Sequence, residues 1–114
     1  KKSAVKSNHA AIVKYVAAEL KKCEIGETKV MGTSLTCDDR KTGGTTHAAT
    51  NTALKDEFKN PYKTSTTAIT TTTLTDCKAA QEGQTSVNDD GTTVTIKSCP
   101  VKDADLLSGT VTIE

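Results

Sequence analysis

The chain has 114 residues, with 15 basic and 14 acidic side chains and a formal net charge of +1. That is the size of one domain, and its charge suits neither a strongly basic polyanion binder nor a disordered tail of one sign. The apolar share is 34% and the aromatic share 3%, with no Trp, one Phe and two Tyr, against roughly 45–50% apolar content in an ordinary domain. Such a thin core must offset on the order of 100–200 kcal/mol of conformational entropy, so covalent cross-links are expected to supplement it.

From Lys2 to Lys22 the pattern is helical. At 100° per residue, Val5, His9, Ile12, Val13, Val16 and Leu20 fall within one arc of about 100°, and Lys6, Lys14 and Lys21 gather beside it. This predicts one amphipathic helix, rich in Ala and free of internal Gly and Pro. Lys21 and Lys22 sit in its last turn, where the helix dipole favours cations, and Gly26 stops it. No capping residue precedes Lys1 and Lys2, so the upstream end reads as a helix that has been cut.

Thr28 to Cys37 (TKVMGTSLTC) reads as a loop or a short strand, and Asp38 to Thr46 (DDRKTGGTT), with its paired glycines, as an exposed loop. Thr46 is placed to cap a short helix through Ala49, Leu54 and Phe58, ending before Asn60-Pro61-Tyr62 because the residue ahead of a proline avoids the helical region. Thr64 to Thr75 (TSTTAITTTTLT) is β-branched and polar, which predicts an extended strand with a modest buried face through Ala68 and Leu74 or through Ile69. Thr92 to Ser98 (TTVTIKS) alternates, with Val94 and Ile96 on one side, and Gly109 to Glu114 repeats the same word with Val111 and Ile113 inward. Asp90-Gly91 suits a tight hairpin that would set Val87 opposite Val94. The expected fold is therefore α+β: a long N-terminal amphipathic helix over residues 1–25, a variable αβ loop over 26–66, and an antiparallel sheet of about four strands over 67–114, lying on the helix in one domain. The abundant Thr follows no fixed period, so the chain is not a solenoid.

Cys23, Cys37, Cys77 and Cys99 form no C-x-x-C pair and are spaced too widely for a zinc knuckle. An even number of scattered cysteines in a core-poor chain reads as two disulfides, which sets the folded domain outside the reducing cytosol. Three pairings are open. The one local in sequence joins Cys23 to Cys37 and Cys77 to Cys99, each loop then contributing roughly 3 kcal/mol. Uninterrupted apolar runs reach only four residues, too short for a membrane span or the core of a signal peptide.

Catalytic signatures are missing: there is no G-x-S-x-G, P-loop or H-E-x-x-H, and Gly43-Gly44 lacks the Lys-Ser or Lys-Thr of a phosphate cradle. No enzyme and no cofactor are expected. His9 lies mid-arc and reads as a packed histidine rather than a metal ligand shared with His47. Asn88, Asp89 and Asp90, with Asp103 and Asp105, offer oxygen ligands of the kind calcium takes, but an Asp-Gly hairpin accounts for the first three and no metal is expected. Lys6, Lys14 and Lys21 could meet DNA phosphates, yet without interleaved aromatics they read as a solvated face. The pairs Thr70 with Thr72 and Thr93 with Thr95 are too irregular for an ice-binding array, and exposed Ser and Thr between Thr64 and Thr75 are open to O-linked glycans; no N-x-S/T sequon exists.

This order of parts resembles the soluble domain of a bacterial type IV pilin. The resemblance rests on Lys2 to Lys22 as the C-terminal half of a long helix, on Phe58 to Tyr62 (FKNPY) as the turn from variable loop into sheet, and on Cys77 to Cys99 as the disulfide-bounded region. Cys23 with Cys37 would be an additional bridge, and the residues after Cys99 would supply the last strand. The resemblance implies a hydrophobic half-helix upstream of Lys1 that anchors the subunit in the inner membrane and later forms the filament core. It implies copies of the same chain as partners in a helical filament, together with pilus assembly machinery. It places the protein in an extracellular pilus with an inner-membrane pool facing the periplasm, serving adhesion, motility or DNA uptake. The alternatives are a pseudopilin of a type II secretion system and a free secreted binding module.

Overall fold

The computed structural model describes residues 1–114. Helix α1, Lys2–Glu24, runs about 34 Å at 1.5 Å per residue, most of the molecule's 41 Å long axis. Its buried residues are Val5, Ile12, Val16, Glu19, Leu20 and Cys23, with His9 and Val13 half-buried alongside. The end is a Schellman arrangement in which the Glu27 N–H donates to the Lys22 carbonyl at 3.0 Å and the Gly26 N–H to Cys23 at 3.3 Å. Gly26 takes φ +109°, the left-handed conformation this stop requires.

The segment after α1 is a hairpin of two short strands, β1 (Lys29–Val30) and β2 (Leu35–Thr36), paired antiparallel with Val30 opposite Leu35. It turns through Met31 (φ +58°) and Gly32, and the Met31 N–H donates to the Glu19 carboxylate at 2.6 Å. This backbone bond explains why a charged residue lies buried on the helix. A 3-10 turn over Cys37–Asp39 follows, then α2, Thr45–Leu54. Contrary to the expectation from sequence, Thr46 is not the cap: the cap position is a left-handed Gly44, two residues earlier, and Thr46 is wholly buried. The helix also stops at Leu54, and its last turn closes when the Glu57 and Phe58 N–H groups both donate to the Leu54 carbonyl.

Strands β3 (Lys59–Asn60) and β4 (Lys63–Thr67) form a second small antiparallel hairpin, and every residue of β4 is exposed. The threonine-rich stretch is therefore not one strand. It breaks at Ala68, resumes as β5 (Ile69–Thr70) and then becomes irregular. Threonine hydroxyls supply the break by taking backbone N–H groups from the ladder: Thr67 Oγ1 accepts from Ile69, and Thr70 Oγ1 from Thr72. Ala68, Ile69 and Leu74 are all buried, so the inward contacts survive the interruption.

The main sheet has the order β5-β6-β7-β8, with β6 at Thr85–Asp89, β7 at Thr93–Ser98 and β8 at Leu107–Thr112. The β6–β7 and β7–β8 pairs are antiparallel, as expected, but β5 runs parallel to β6, with Ile69 beside Thr85. The β6–β7 register also differs from expectation: Val87 lies opposite Ile96, and Val94 opposite Asp89. The Asp90 carboxylate causes this slip of two residues by accepting the N–H groups of Thr92 (2.9 Å) and Thr93 (2.8 Å), so the turn closes one residue later on each strand. A shift of two keeps each side chain on its own face, and Val87, Val94 and Ile96 remain fully buried against α1 and α2.

One core cluster joins Ile12, Val16 and Leu20 of α1 to Met31, Leu35, Leu54, Ile69 and the inward residues of the sheet, and Leu74 forms a second cluster with the Cys77–Cys99 bridge. Cys23 and Cys37 are bridged, as are Cys77 and Cys99, and no cysteine is free. Two disulfides in a small domain mark an oxidising compartment, extracellular or periplasmic. No helix is long and apolar enough to cross a membrane.

Candidate functional site

Helix α1 presents two chemically distinct faces. On the inner one, Val5, Ile12, Val16 and Leu20 are buried, and Val13 and His9 lean over β8. A Cβ on Gly109 would stand 3.2 Å from Val13 Cγ2 and 3.6 Å from His9 Nε2, so this glycine lets helix and strand approach closely. Of the six residues of the expected packing arc, Val5, Ile12, Val16 and Leu20 are thus buried and His9 and Val13 half-buried. The outer face carries Ala4, Ser7, Ala11 and Ala18, all exposed and within about 60° of one another on the helical wheel, with Lys14 and Lys21 along one border and Lys22 on the same arc at the C-terminal end.

His9 Nδ1 lies 2.8 Å from Ser98 Oγ, which in turn lies 2.6 Å from Thr85 Oγ1. Ser98 and Thr85 are fully buried. This polar chain ties α1 to β7 and β6, and burial holds the His9 imidazole below its ordinary pKa. The Ser98 hydroxyl has no exposure to an external substrate, so the His–Ser contact is a packing bond.

The second polar cluster lies where α2 meets β6. The Asp89 side chain, 0% exposed, accepts the N–H groups of Gly44 (3.1 Å), His47 (2.8 Å) and Gly91 (3.2 Å), while the Asp89 N–H donates to His47 Nδ1 at 3.0 Å. Carboxylate and imidazole cap each other's backbone as a capping box does, across a separation of 42 residues. The same Nδ1 stands 3.2 Å from Asp89 Oδ1. Sequence reasoning missed this cap, since nothing near Thr45 signals a partner so distant.

The histidines do not meet: His9 faces β7 and β8, and His47 faces β6. The acidic residues are likewise dispersed in role. Asp89 caps α2, Asp90 closes the hairpin, and Asp103 pairs with Lys78 at 3.0 Å. The Thr93 and Thr92 N–H groups hold the Asp90 carboxyl below the usual range. No group of three or more His, Cys, Asp or Glu is placed to hold a metal ion. Lys6, Lys14 and Lys21 are exposed on α1, with Lys21 3.8 Å from Glu24.

On the outer face of the sheet, away from α1, a groove of about 300 Å³ is lined by Thr73, Asn88, Asp89, Asp90, Thr93, Thr95 and Lys97, with no apolar side chain among them. At the far end of the molecule Lys1 Nζ stands 5.8 Å above the Tyr62 ring, and the Tyr62 hydroxyl donates to the Pro100 carbonyl. No known protein family, curated protein or solved structure matches the chain.

Proposed function

We propose that this chain is a structural subunit of a type IV pilus filament, whose work is done by its surface rather than by a reacting centre. The observation that carries the reading is the division of labour along α1. One face is committed to the molecule's own sheet, and the opposite face exposes a lane of small side chains, Ala4, Ser7, Ala11 and Ala18. Small residues let helix backbones approach closely, which suits packing of the helix against copies of itself. The two disulfides and the polar, threonine-rich exterior suit a domain that works outside the reducing cytosol.

In this reading the partners are copies of the chain, the pilus assembly machinery and, through an upstream hydrophobic segment, the inner membrane. The hairpins, β4 and the outer sheet face form the exterior that meets surfaces during adhesion, motility or DNA uptake. The test is to express the full-length gene in its source cell and label the cell surface with antibody against this domain. Decorated thin filaments that vanish on deletion of the gene support the reading; normal export without filaments overturns it in favour of a secreted binding module. Replacing Ala11 and Ala18 by Lys should abolish filaments while leaving the isolated domain folded, because both positions are exposed.

A further inference from the structure

Strand β8, Leu107–Thr112, is one edge of the main sheet. The Ile113 N–H donates to the Thr92 carbonyl at 2.8 Å, and hydrogen-bonded pairs alternate along an antiparallel ladder. With the observed register, Val111, Gly109 and Leu107 direct their backbone groups at β7. The N–H and C=O groups of Ser108, Thr110 and Thr112 then point away from the sheet. None of those groups bonds to a loop or a side chain elsewhere in the molecule. Edge strands are ordinarily protected by Lys, Pro, a bulge or a covering segment, and β8 has no charged residue, no proline and an unbroken register over all six residues. Protection begins only past its end, where Lys41 Nζ donates to the Ile113 carbonyl and Arg40 Nε to that of Glu114.

We propose that the free edge of β8 pairs antiparallel with β8 of a second copy, about a two-fold axis through Thr110, to form one continuous eight-stranded sheet. The strand is self-complementary in that register: Thr110 meets Thr110 of the other copy and Ser108 meets Thr112, so every outward donor faces an outward acceptor. All three side chains are exposed hydroxyls on one face, a combination that pairs favourably across strands. No like charges come opposite each other. The same register sets Glu114 opposite Leu106 of the second copy and beside that copy's Asp105, with Arg40 and Lys41 at the same place to offset the two carboxylates. On the α1 side, the helix flank next to Val13 carries Ala10 and Ala17, with the exposed Lys6 on the same flank nearer the N-terminus. The opposite edge of the sheet, β5, is only two residues long, so pairing closes at a dimer instead of growing into a fibre.

This inference does not rest on the filament reading. If both hold, the two-fold contact joins copies running in opposite directions, and it belongs between filaments, since copies within one helical filament all run the same way.

The experiment is sedimentation velocity on the disulfide-intact domain from about 10 µM to about 1 mM, with amide exchange measured at both ends of the range. The mass is expected to rise toward two chains, and the Ser108, Thr110 and Thr112 amides to gain protection with concentration. T110K, which sets two ammonium groups together at the axis, should weaken association by about tenfold or more. T95K adds the same charge to the same outer face on an interior strand and should not. T110C should oxidise to a covalent dimer, whereas T112C alone, facing Ser108, should not. A single-chain mass at about 1 mM, equal effects of T110K and T95K, or equal cross-linking by the two cysteine variants overturns the proposal.

Discussion

Replacing Asp89 by Ala removes the carboxylate that caps the start of α2 from the sheet. Its carboxylate is fully buried and accepts three backbone N–H groups at 3.1, 2.8 and 3.2 Å. A hydrogen bond to a charged group contributes about 1.5–3 kcal/mol, and each buried donor left without a partner costs about 1–3 kcal/mol. Gly44 and His47 are only part-buried, so water recovers some of the loss at those two donors. The expected destabilisation is about 3 kcal/mol, a fall in Tm of about 12 °C for a chain of this size. Asp89→Asn keeps one acceptor oxygen but turns an NH2 group toward a donor, and should lose about 2 kcal/mol. Urea unfolding at neutral pH gives the magnitude, and amide exchange gives the location: Gly44 and His47 should lose protection while the β7–β8 ladder keeps its own. A loss below about 1 kcal/mol for the Ala variant, or an Asn variant as stable as the parent, would refute the account of Asp89 as a long-range cap.

Four further outcomes follow from the packing. Burial works to raise the Glu19 pKa, but the hydrogen bonds from Lys22 and the Met31 N–H, with the Lys22 charge, hold it below the usual carboxylate range; the stability it adds is therefore present above the unfolded value near 4.3 and is lost as pH falls through the folded one. Glu19→Gln should flatten that acid limb of a Tm-against-pH curve and cost about 1–2 kcal/mol at pH 7. His9, held low by burial, favours the folded state while neutral, so stability should decline as pH falls below the unfolded value of about 6.5, and His9→Gln should remove that decline in the same titration. Calcium at millimolar concentration should leave Tm unchanged, since the Asp89 oxygens and Asp90 Oδ1 are occupied by backbone N–H groups; an upward shift would point instead to the pseudopilin alternative. Replacing the Cys77 and Cys99 pair by Ser should cost about 3 kcal/mol for a loop of 22 residues, measured by denaturant unfolding against the parent.

What was legible in the sequence was what depends on local period. The 3.6-residue spacing of Val5, Ile12, Val16 and Leu20 places α1, and the twofold alternation at Val94 and Ile96 places β7, because burial of one face is enough to generate either pattern. Where side chains compete with the backbone, local reading failed. Threonine hydroxyls broke the expected long strand at Ala68, and the Asp90 carboxylate moved the hairpin register by two. The start of α2 was misplaced because its cap lies on β6, and the parallel β5–β6 pairing leaves no periodic trace at all. The burial of Glu19 has no local signal either: a turn twelve residues away offers one carboxylate oxygen an N–H, and Lys22 pairs with the other. The free edge of β8 was equally hidden: its alternation was visible, but its place at the end of the strand order was not.

The two bridges also set how the domain responds to tension. They close loops of 14 and 22 residues, and at about 3.4 Å per residue those segments hold about 48 Å and about 75 Å of slack. A pull on the two ends of the chain cannot draw on that slack while the sulfur bonds are intact. The first bridge fastens the last turn of α1 to the hairpin that follows, and the second fastens the irregular segment before β6 to the residue just past β7. A load entering through the helix therefore bypasses the first loop but must cross the segment from Cys37 to Cys77, which neither bridge spans, before it reaches the second. The oxidised domain should extend less at full unfolding than the reduced one, by the length held in the two loops.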